Sequence, residues 1–419
     1  MLKLGYVEVD ITPNSPIEII GFNRGDNISK GILKPLLAQI AVWNDDDTYC
    51  IITIDSIGFK KELTDNLRKR VCNTLKISLE KVMICFSHCH SAPNADAIPE
   101  YYAMVCEKIE TAVKSAVEQF KDVFVGWGNA YADIGVNRRK ESDALDKRLG
   151  ILKVSDQGSG ALKLLIIRLT AHCNALKRDN YMISPDFFGT VREMLKEYYN
   201  CPVMVIQGAA GNIAPKYFNS KETPIDASGE QYVRSETALD DIANVVLAAA
   251  SPIIENMIVK EVESINMYSR NVVLYAEVPT YEMAQRIAKE SKENCGIDGT
   301  DWLKEIQKLN NSGVKMQEEK VEVQYFKIGN WCLCGVPYEL MVEFALQTQE
   351  KLEDEYFYLN GYTNGCSSYF PTEKEFDLGG YEVYWSLLLY YPYFNRVFPL
   401  KKESARELID FVVNNMSEV

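Results

Sequence analysis

The sequence predicts an α/β fold, and two observations carry that prediction. Apolar runs of strand length alternate along the 419-residue chain with segments whose apolar residues recur at helical spacing. All three histidines closely follow such apolar runs: His88 and His90 come after residues 82–86, and His172 comes after residues 164–171. Because α/β folds place their binding sites at strand ends, we expect the functional site at these histidines.

The predicted elements follow one another in regular succession. Alternating or continuous apolar patterns predict strands at residues 7–11, 38–43, 49–55, 82–86, 123–128, 149–154, 164–171, 203–206, 262–278, 320–328 and 332–336. Helical spacing predicts helices at residues 63–75, 101–120, 188–199, 235–250, 281–294 and 301–310, after residue 339 and at the C-terminus. Residues 361–382 are predicted to form a loop whose composition is typical of a functional site.

Residues 1–419 are interpreted as a single layered domain of mixed α/β character. Residues 252–330 differ from the rest, because two long alternating strands flank two charged helices there. We interpret this region as a strand-rich insertion, either a subdomain or an extension of a sheet. A chain of this length buries roughly 75% of its unfolded surface, so it needs no disulfide for stability.

The charge balance limits the classes of partner. The net charge is −14 and the pI is near 4.9, so the chain offers no basic field for a nucleic acid. No apolar stretch approaches the roughly 18 residues of a membrane span, and no integral membrane segment is expected. The N-terminus enters a strand pattern without an apolar leader, and eleven cysteines fit a reducing compartment. We therefore expect a cytoplasmic protein, of undetermined oligomeric state.

A metal site is the function that the histidine pattern favours. Imidazole is a common metal ligand, and we place His88 and His172 at the centre of the site. The alternative is that the histidines are buried, hydrogen-bonded side chains with a structural role. A glycine-rich turn at residues 207–212 follows a predicted strand, and glycine lets a backbone approach a ligand closely.

Ten short motifs follow one another from residue 5 to about residue 385. They are Asp10-Ile11-Thr12-Pro13, Gly21-Phe22 with Arg24, Ser87-His88-Cys89-His90-Ser91, Gly135-Val136-Asn137-Arg138-Arg139, Ala171-His172, Ser184-Pro185-Asp186, Gln207-Gly208-Ala209-Ala210-Gly211-Asn212, Pro337-Tyr338-Glu339, Tyr369-Phe370-Pro371-Thr372 and Gly380-Tyr381-Glu382. Their order resembles the catalytic domain of the neutral/alkaline, non-lysosomal ceramidase family. The immunoglobulin-like C-terminal module of the large members has no counterpart, so the chain resembles the short bacterial members.

The resemblance implies a ceramidase-like catalytic domain with a bound zinc ion. Its ligands, carried over position by position, are His88, His172, Glu339 and Tyr369. The resemblance further implies that water on the zinc attacks an amide carbonyl at neutral pH. Carboxylates in an outer shell are expected to orient the imidazole rings, and the candidates are Asp10, Asp55 and Asp186.

The resemblance also assigns catalytic roles to three further residues. His90 is implied as a general acid/base or a substrate contact, Arg138 as the group that polarises the scissile carbonyl, and Tyr381 as a hydrogen-bond donor. The implied substrate is a small or lipid-like N-acyl compound, as in sphingolipid metabolism. The implied activity is hydrolysis of a C–N amide bond.

Two departures from the family put the substrate in question. The family carries a serine after the glycine-rich turn, where this chain has Ala214, which provides no hydroxyl. The family's His-Asp before Pro-Leu is replaced by Leu33-Lys34. Either water attacks directly, or the substrate is not a ceramide. Two alternatives to a ceramidase-like amidohydrolase stay open. One is a hydrolase of a small polar or carbohydrate-derived substrate, and the other is a non-catalytic binding protein.

Other interpretations of single residues remain open from the sequence. Cys89 and Cys173 each adjoin a histidine, which allows a closed Cys2His2 zinc site. Glu339 also fits a carboxylate in the first turn of a helix, where the helix dipole favours it. Arg138 and Arg139 would ordinarily be a solvated pair.

Overall fold

The computed structural model describes residues 1–139, 142–216, 236–394 and 396–416. Its strands are β1 (Lys3–Asp10), β2 (Gly31–Ile32), β3 (Leu37–Asn44), β4 (Thr48–Ile54), β5 (Val82–Phe86), β6 (Lys121–Tyr131), β7 (Gly135–Asn137), β8 (Arg148–Asp156), β9 (Leu162–Leu169), β10 (Met182–Ile183), β11 (Val203–Gln207), β12 (Ile213–Pro215), β13 (Ile265–Glu277), β14 (Met316–Ile328), β15 (Trp331–Gly335), β16 (Glu339–Leu340), β17 (Phe357–Asn360) and β18 (Tyr369–Phe370). Its helices are α1 (Lys61–Leu75), α2 (Pro99–Glu118), α3 (Asp186–Tyr199), α4 (Glu236–Asn256), α5 (Tyr281–Cys295), α6 (Thr300–Asn311), α7 (Val342–Leu352), α8 (Glu373–Leu378), α9 (Leu387–Phe394) and α10 (Ser404–Asn415), with a 3-10 turn at Leu79–Lys81 and a π-helical turn at Tyr381–Trp385.

Two mixed sheets form the centre of the fold. The larger has eight strands in the order β11-β9-β8-β6-β1-β3-β4-β5, antiparallel except for the parallel pairs β11–β9 and β4–β5 at its two ends. The smaller has the order β13-β14-β15-β17. Each parallel pair of the larger sheet is connected through a helix, as a parallel crossover requires. The chain therefore combines βαβ units with antiparallel hairpins.

The fold has four layers, which are helices α1 to α4, the larger sheet, the smaller sheet, and helices α7 and α10. Apolar side chains on both faces of the two sheets pack these layers together. Helices α1 to α4 pack on one face of the larger sheet, where Val105 of α2 and Ile40 of β3 share a core. The smaller sheet covers the opposite face, with Phe326 of β14 packed 6.2 Å from Trp43 of β3 between ring centroids. Helices α7 and α10 cover its outer side. The predicted layered α/β fold is confirmed.

The segments that carry the histidines meet, although β5 and β9, the strands that precede them, are far apart in the sheet. The strands β1 and β6, at the middle of the larger sheet, pair only at Lys3–Asp122 and Leu4–Lys121. The Gln207 side-chain amide Nε2 donates to the Ser87 carbonyl at 3.2 Å and to the Ala171 carbonyl at 2.8 Å. This amide therefore ties together the segments that precede His88 and His172.

The region predicted as an insertion contributes half of the smaller sheet. Strands β13 and β14 pair antiparallel from Ile265–Ile328 to Glu277–Met316, and β14 also pairs with β15. Helices α5 and α6, between these strands, form an apolar cluster with residues of α9 and the segment after it. The division of the chain into a domain and a subdomain stays a proposal. The sequence missed β17, whose four residues are too short for a periodic pattern.

Helix α4 differs from its prediction at its C-terminal end. It runs through Pro252 to Asn256, beyond the predicted end at residue 250, and the predicted start at residue 235 lies outside the described residues. By length and composition, α4 is long and apolar enough to cross a membrane, so the statement that no stretch approaches such a span was wrong, while the expectation of no integral membrane segment stays a prediction. One face, including Leu239, Ile242 and Val246, is buried in the core. A buried core helix passes the same test of composition.

Candidate metal centre

The three imidazole rings form one buried cluster. Their centroids are separated by 4.6 Å for His88 and His172, 4.9 Å for His88 and His90, and 5.1 Å for His90 and His172. One ligand nitrogen from each ring lies within 4.8 Å of the others. His172 is 0% exposed and His88 is 3% exposed. The sequence prediction that the histidines come together is confirmed.

The backbone at His88 is unusual. The strand β5 ends at Phe86, and His88 takes a positive φ of 59°. A left-handed conformation is uncommon for a residue with a side chain, and such strain is concentrated at functional sites. Histidines 88 and 90 therefore lie on a turn after β5, as their position behind the apolar run predicted, while the left-handed conformation of His88 was not foreseen.

Backbone carbonyls fix all three rings through Nδ1. The Nδ1 atoms of His88, His90 and His172 lie 2.7, 2.9 and 3.0 Å from the carbonyl oxygens of Ile57, Gly21 and Ala210. A carbonyl only accepts, so each Nδ1 carries the proton and each Nε2 keeps a free lone pair. This is the tautomer that a metal ligand requires.

The carboxylates predicted to orient the rings have other partners. Asp55 forms an ion pair with Arg192 at 2.9 Å. Asp186 accepts from the backbone N–H groups of residues 175, 176 and 187, and Asp10 accepts from that of residue 12. The expectation for these three carboxylates was wrong. Carbonyls satisfy the ring nitrogens without adding negative charge.

Burial keeps the His90 and His172 rings neutral. Desolvation lowers the pKa of His90 well below its usual value, and the neighbouring His88 lowers it further. The pKa of His172 is lowered in the same way by burial, with Arg138 as the next cause. Neutral imidazole is the form that binds a metal. The ring nitrogens of His90 and His172 therefore stay unprotonated at neutral pH and are available as ligands.

Glu339 adds a carboxylate to the cluster. Its Oε2 lies 3.2 Å from Nε2 of His88 and 3.6 Å from Nε2 of His172. Glu339 belongs to the short strand β16, which pairs in parallel with β18 so that Glu339 is opposite Tyr369. It precedes helix α7, which begins at Val342, so it does not belong to the first turn of that helix.

The glycine-rich turn supports Glu339. A Cβ atom on Gly211 would lie 2.5 Å from the Glu339 carbonyl oxygen, and the Gly211 N–H donates to the Leu340 carbonyl at 2.8 Å. Only glycine permits this approach of two backbones. From the sequence we expected the backbone of this turn to approach a ligand closely. In the structure it approaches the backbone of β16 instead.

Several buried polar atoms at the centre have no partner in the protein. They are Nε2 of His90, Nε2 of His172, Oε2 of Glu339 and the hydroxyl of Tyr362. Buried polar groups nearly always have a partner, and the two imidazole nitrogens and the carboxylate oxygen among these atoms carry lone pairs that a metal cation would satisfy. Nitrogen and oxygen donors of this kind suit zinc. The residues present therefore fit a metal ion.

Tyr369, Tyr381 and Arg138 are next to the cluster. The guanidinium carbon of Arg138 lies 6.0 Å from the ring centroid of Tyr369, and the Tyr369 and Tyr381 centroids are 6.0 Å apart. Burial raises the pKa of Tyr381 to about 12, with the negative Glu339 as the next cause. The Tyr381 hydroxyl therefore keeps its proton at neutral pH. The structure thus brings together the seven predicted site residues, while their roles stay predictions.

The two arginines are not a solvated pair. Arg138 donates to the Gly211 carbonyl and lies 3.6 Å from Glu382. Arg139 donates to Glu375, and to Glu382 at 2.9 Å. Arg139 is therefore occupied by structural carboxylates, while Arg138 is the arginine that faces the tyrosines.

Two residues at the cluster were missed by the sequence prediction. The ring of Tyr362 lies 4.4 Å from that of His88 between centroids, and the Cys366 sulfur lies 3.7 Å from Nδ1 of His88. Both belong to the loop of residues 361–382, which had the composition of a site. Nothing in their spacing distinguished them from other tyrosines and cysteines.

The cysteines beside the histidines face elsewhere. The Cys89 thiol donates to the Ser184 carbonyl at 2.7 Å, and the Cys173 thiol donates to the Pro185 carbonyl at 3.4 Å. The metal-binding group found in the described part of the chain contains histidines 88, 90 and 172 without a cysteine. The Cys2His2 interpretation is therefore not supported.

A cavity of about 60 Å³ opens onto the cluster. Its lining includes His88, Glu339 and aromatic residues of α9. Ala214 lies in β12, which pairs with β7 beside the arginines, and it is 2% exposed. The position that bears the family's serine is therefore buried near the centre without a hydroxyl.

Among known proteins, solved structures share the fold of this chain. No protein-family model matches the chain, and no curated protein sequence matches it. A structure of neutral ceramidase from Pseudomonas aeruginosa is similar to the whole chain, with a TM-score of 0.72, 17% identity and 75% of that protein covered. A structure of ceramidase complexed with C2 has a TM-score of 0.71 and 17% identity, with 76% covered. The chain therefore has the fold of neutral ceramidase along its whole length.

Proposed function

We propose that the protein is a zinc-dependent hydrolase that cleaves the amide bond of an N-acyl substrate. The observation that carries this proposal is the cluster of three buried imidazoles, two of which face the Glu339 carboxylate, with ring and carboxylate atoms left without a hydrogen-bond partner. Its occurrence on the fold of neutral ceramidase supports the choice of reaction. The cavity beside Glu339 gives a substrate access to the cluster.

The metal would be held by His88, His172, Glu339 and Tyr369. When bound, zinc polarises a carbonyl and makes a water molecule more acidic. Tyr369 joins the set because β18 holds it opposite Glu339. The positive charge of Arg138 opposes the rise in the Tyr369 pKa that burial and Glu339 cause. The phenol is thereby helped toward the ionised form that a ligand uses.

His90 is suited to proton transfer. Its Nδ1 is fixed on the Gly21 carbonyl, so Nε2 is the atom that accepts a proton. Burial lowers the pKa of His90, which keeps Nε2 free at neutral pH. Because Ala214 provides no hydroxyl, the nucleophile is a water molecule whose proton passes to His90. The protonated ring then donates to the leaving nitrogen.

Arg138 and Tyr381 stabilise the developing oxyanion in this proposal. The Arg138 guanidinium is permanently charged and is anchored by the Gly211 carbonyl. The Tyr381 hydroxyl keeps its proton and donates it in a hydrogen bond. Fixed donors of this kind typically contribute 10²- to 10³-fold to the rate.

Metal content is the first test. Protein purified without a metal-affinity tag is expected to contain about one zinc per chain by mass spectrometry, as a single site requires. His88→Ala and Glu339→Gln should lose it, whereas Glu350→Gln, at an exposed position of α7, should keep it. Variants that lose zinc should also lose turnover of N-acyl anilides, and the variant that keeps zinc should keep turnover. Absence of zinc after zinc has been supplied would overturn the proposal.

A non-catalytic binding protein is the second candidate, and Ala214 is the observation that favours it. Such a protein would keep the zinc ligands and show no turnover. Bound zinc together with the absence of amidase and esterase activity across N-acyl and O-acyl substrates would select this candidate. Activity that is lost in His90→Gln with zinc retained would exclude it.

A further inference from the structure

The space beside the metal centre is small. The cavity that His88 and Glu339 line has a volume of about 60 Å³, whereas pockets for drug-sized ligands have roughly 300–1,000 Å³. A volume of this size holds about four water molecules. Its lining also includes Tyr390, Tyr393 and Phe394. We call these three residues the aromatic wall.

The aromatic wall is fixed to the rest of the protein. Helix α9 carries it, and Leu388 of that helix packs in an apolar cluster with Ala288 and Trp302 of helices α5 and α6. A Cβ on Gly299 would lie 2.9 Å from Leu388, so the packing there is tight. The Tyr390 hydroxyl is hydrogen-bonded to that of Tyr381. The inserted helices therefore hold the wall in place.

Beyond the wall is an outer groove of about 270 Å³. It shares Cys366, Ser367, Tyr393 and Phe394 with the inner cavity, so the two spaces are adjacent. Its remaining lining is mostly charged, with residues of both signs: Lys60, Lys61, Glu62, Asp65, Glu319 and Lys320. A long apolar chain would bury little of its surface in apolar surroundings there.

A carboxyl group adds polarity to the inner cavity. Asp96 lines the cavity with His88, and its two oxygens accept from the Lys60 backbone N–H at 3.0 and 3.1 Å. A single donor leaves most of the carboxylate lone pairs available. A substrate with an ammonium or hydroxyl group would satisfy them, whereas a hydrocarbon chain would not.

We infer that the site accepts a compact, polar N-acyl substrate and excludes long-chain N-acyl lipids. The inference rests on the proposed function and specifies its substrate class. Neither space suits a long hydrocarbon chain: the inner cavity is too small, and the outer groove is charged. The aromatic wall sets the limit, with Phe394 and Tyr393 as the residues that determine specificity.

Hydroxamates of increasing chain length test the inference without turnover. They bind a metal through the hydroxamate group and extend their alkyl chain into the adjacent space. Calorimetry on the zinc-loaded protein should show binding of acetohydroxamate and at least about tenfold weaker binding of octanohydroxamate and dodecanohydroxamate, as expected from steric overpacking. Phe394→Ala should recover most of that loss. Phe394→Leu gives the same test with a smaller change in packing.

The control is Leu389→Ala, on the same helix at a position that is 46% exposed and does not line the cavity. It should keep the wild-type profile. Equal or tighter binding of the long hydroxamates by the wild type, an unchanged profile in both Phe394 variants, or no binding of any hydroxamate would overturn the inference. N-acyl anilides assayed in parallel report on the proposed function separately. Chain-length selectivity without turnover would overturn the hydrolase and leave the size limit standing.

Discussion

Glu339 and Tyr369 are direct partners in the parallel pairing of β16 and β18, although they are far apart in the sequence. The Glu339 N–H donates to the Ser368 carbonyl at 3.2 Å, which fixes the register. A carboxylate and a phenol are thus held side by side at the edge of the imidazole cluster. The pairing is the structural reason to count Tyr369 among the proposed ligands.

The first prediction concerns this phenol. Tyr369→Phe removes a single oxygen and keeps the ring, so the fold and the zinc content at saturation should be preserved. The affinity for zinc, measured by competition with a chelator, should fall at least about 10- to 100-fold, the usual loss for an outer partner of a ligand. Tyr275→Phe, at an exposed position of β13, should have wild-type affinity. Unchanged affinity in Tyr369→Phe would remove Tyr369 from the ligand set.

The second prediction separates the two histidines of one motif. His90→Gln should keep zinc and lose turnover by about 10²- to 10⁴-fold, as expected for a general acid/base. His88→Gln should lose the zinc. The distinction is a demanding one, because the ligand nitrogens of both rings lie within 4.8 Å of each other. Loss of zinc in His90→Gln would make His90 a ligand and contradict its assignment to proton transfer.

Local signals in the sequence predicted much of the fold. The strand of residues 82–86 matches β5 in both bounds, and most predicted helices match within a few residues. Such segments are periodic over their whole length, so apolar spacing identifies them. Helix α4 extends past its predicted end at residue 250 and contains Pro252, a residue that usually ends or kinks a helix.

The candidate site was predictable only in part. The position of the histidines after apolar runs indicated a site, and the resemblance of the motifs added Glu339 and Tyr369. Spacing gave no sign that Gln207 ties together the segments before His88 and His172, because that contact is a side-chain hydrogen bond between distant parts of the chain. The same holds for the carbonyls that orient the rings. Long-range contacts of the backbone leave no pattern in a single sequence.

The third prediction concerns a buried ion pair between the layers. Arg68 of α1 donates to both oxygens of Glu322 in β14, at 2.8 and 2.9 Å, and both side chains are buried. Glu322→Ala removes the bidentate partner of Arg68 and leaves only the more exposed Asp65, at 3.2 Å, so it should lower the free energy of unfolding by up to about 3–5 kcal/mol in urea titrations. Asp301→Ala breaks the exposed pair with Lys304 and should cost no more than about 1 kcal/mol. Equal losses of unfolding free energy in Glu322→Ala and Asp301→Ala would contradict the role of burial in the first ion pair.

The fourth prediction concerns acid stability and depends on Asp146. Burial alone would raise the pKa of this carboxyl, but the charge of Arg168 and the hydrogen bonds from Arg148 lower it to about 2. The Arg168 and Arg148 nitrogens lie 2.7 and 2.9 Å from its oxygens. An ordinary aspartate in the unfolded chain has a pKa near 3.9. The native state therefore binds fewer protons than the unfolded state between these two values.

The sign of the effect follows from this difference. The stabilisation by Asp146 is complete above about pH 4 and is lost as the pH falls toward 2, and the loss amounts to about 2 kcal/mol. In Asp146→Asn this contribution is absent at every pH. The gap in unfolding free energy between wild type and variant should thus narrow by about 2 kcal/mol between pH 5 and pH 2 in urea titrations. A gap that stays constant over this range would mean that Asp146 has an ordinary pKa in the folded protein.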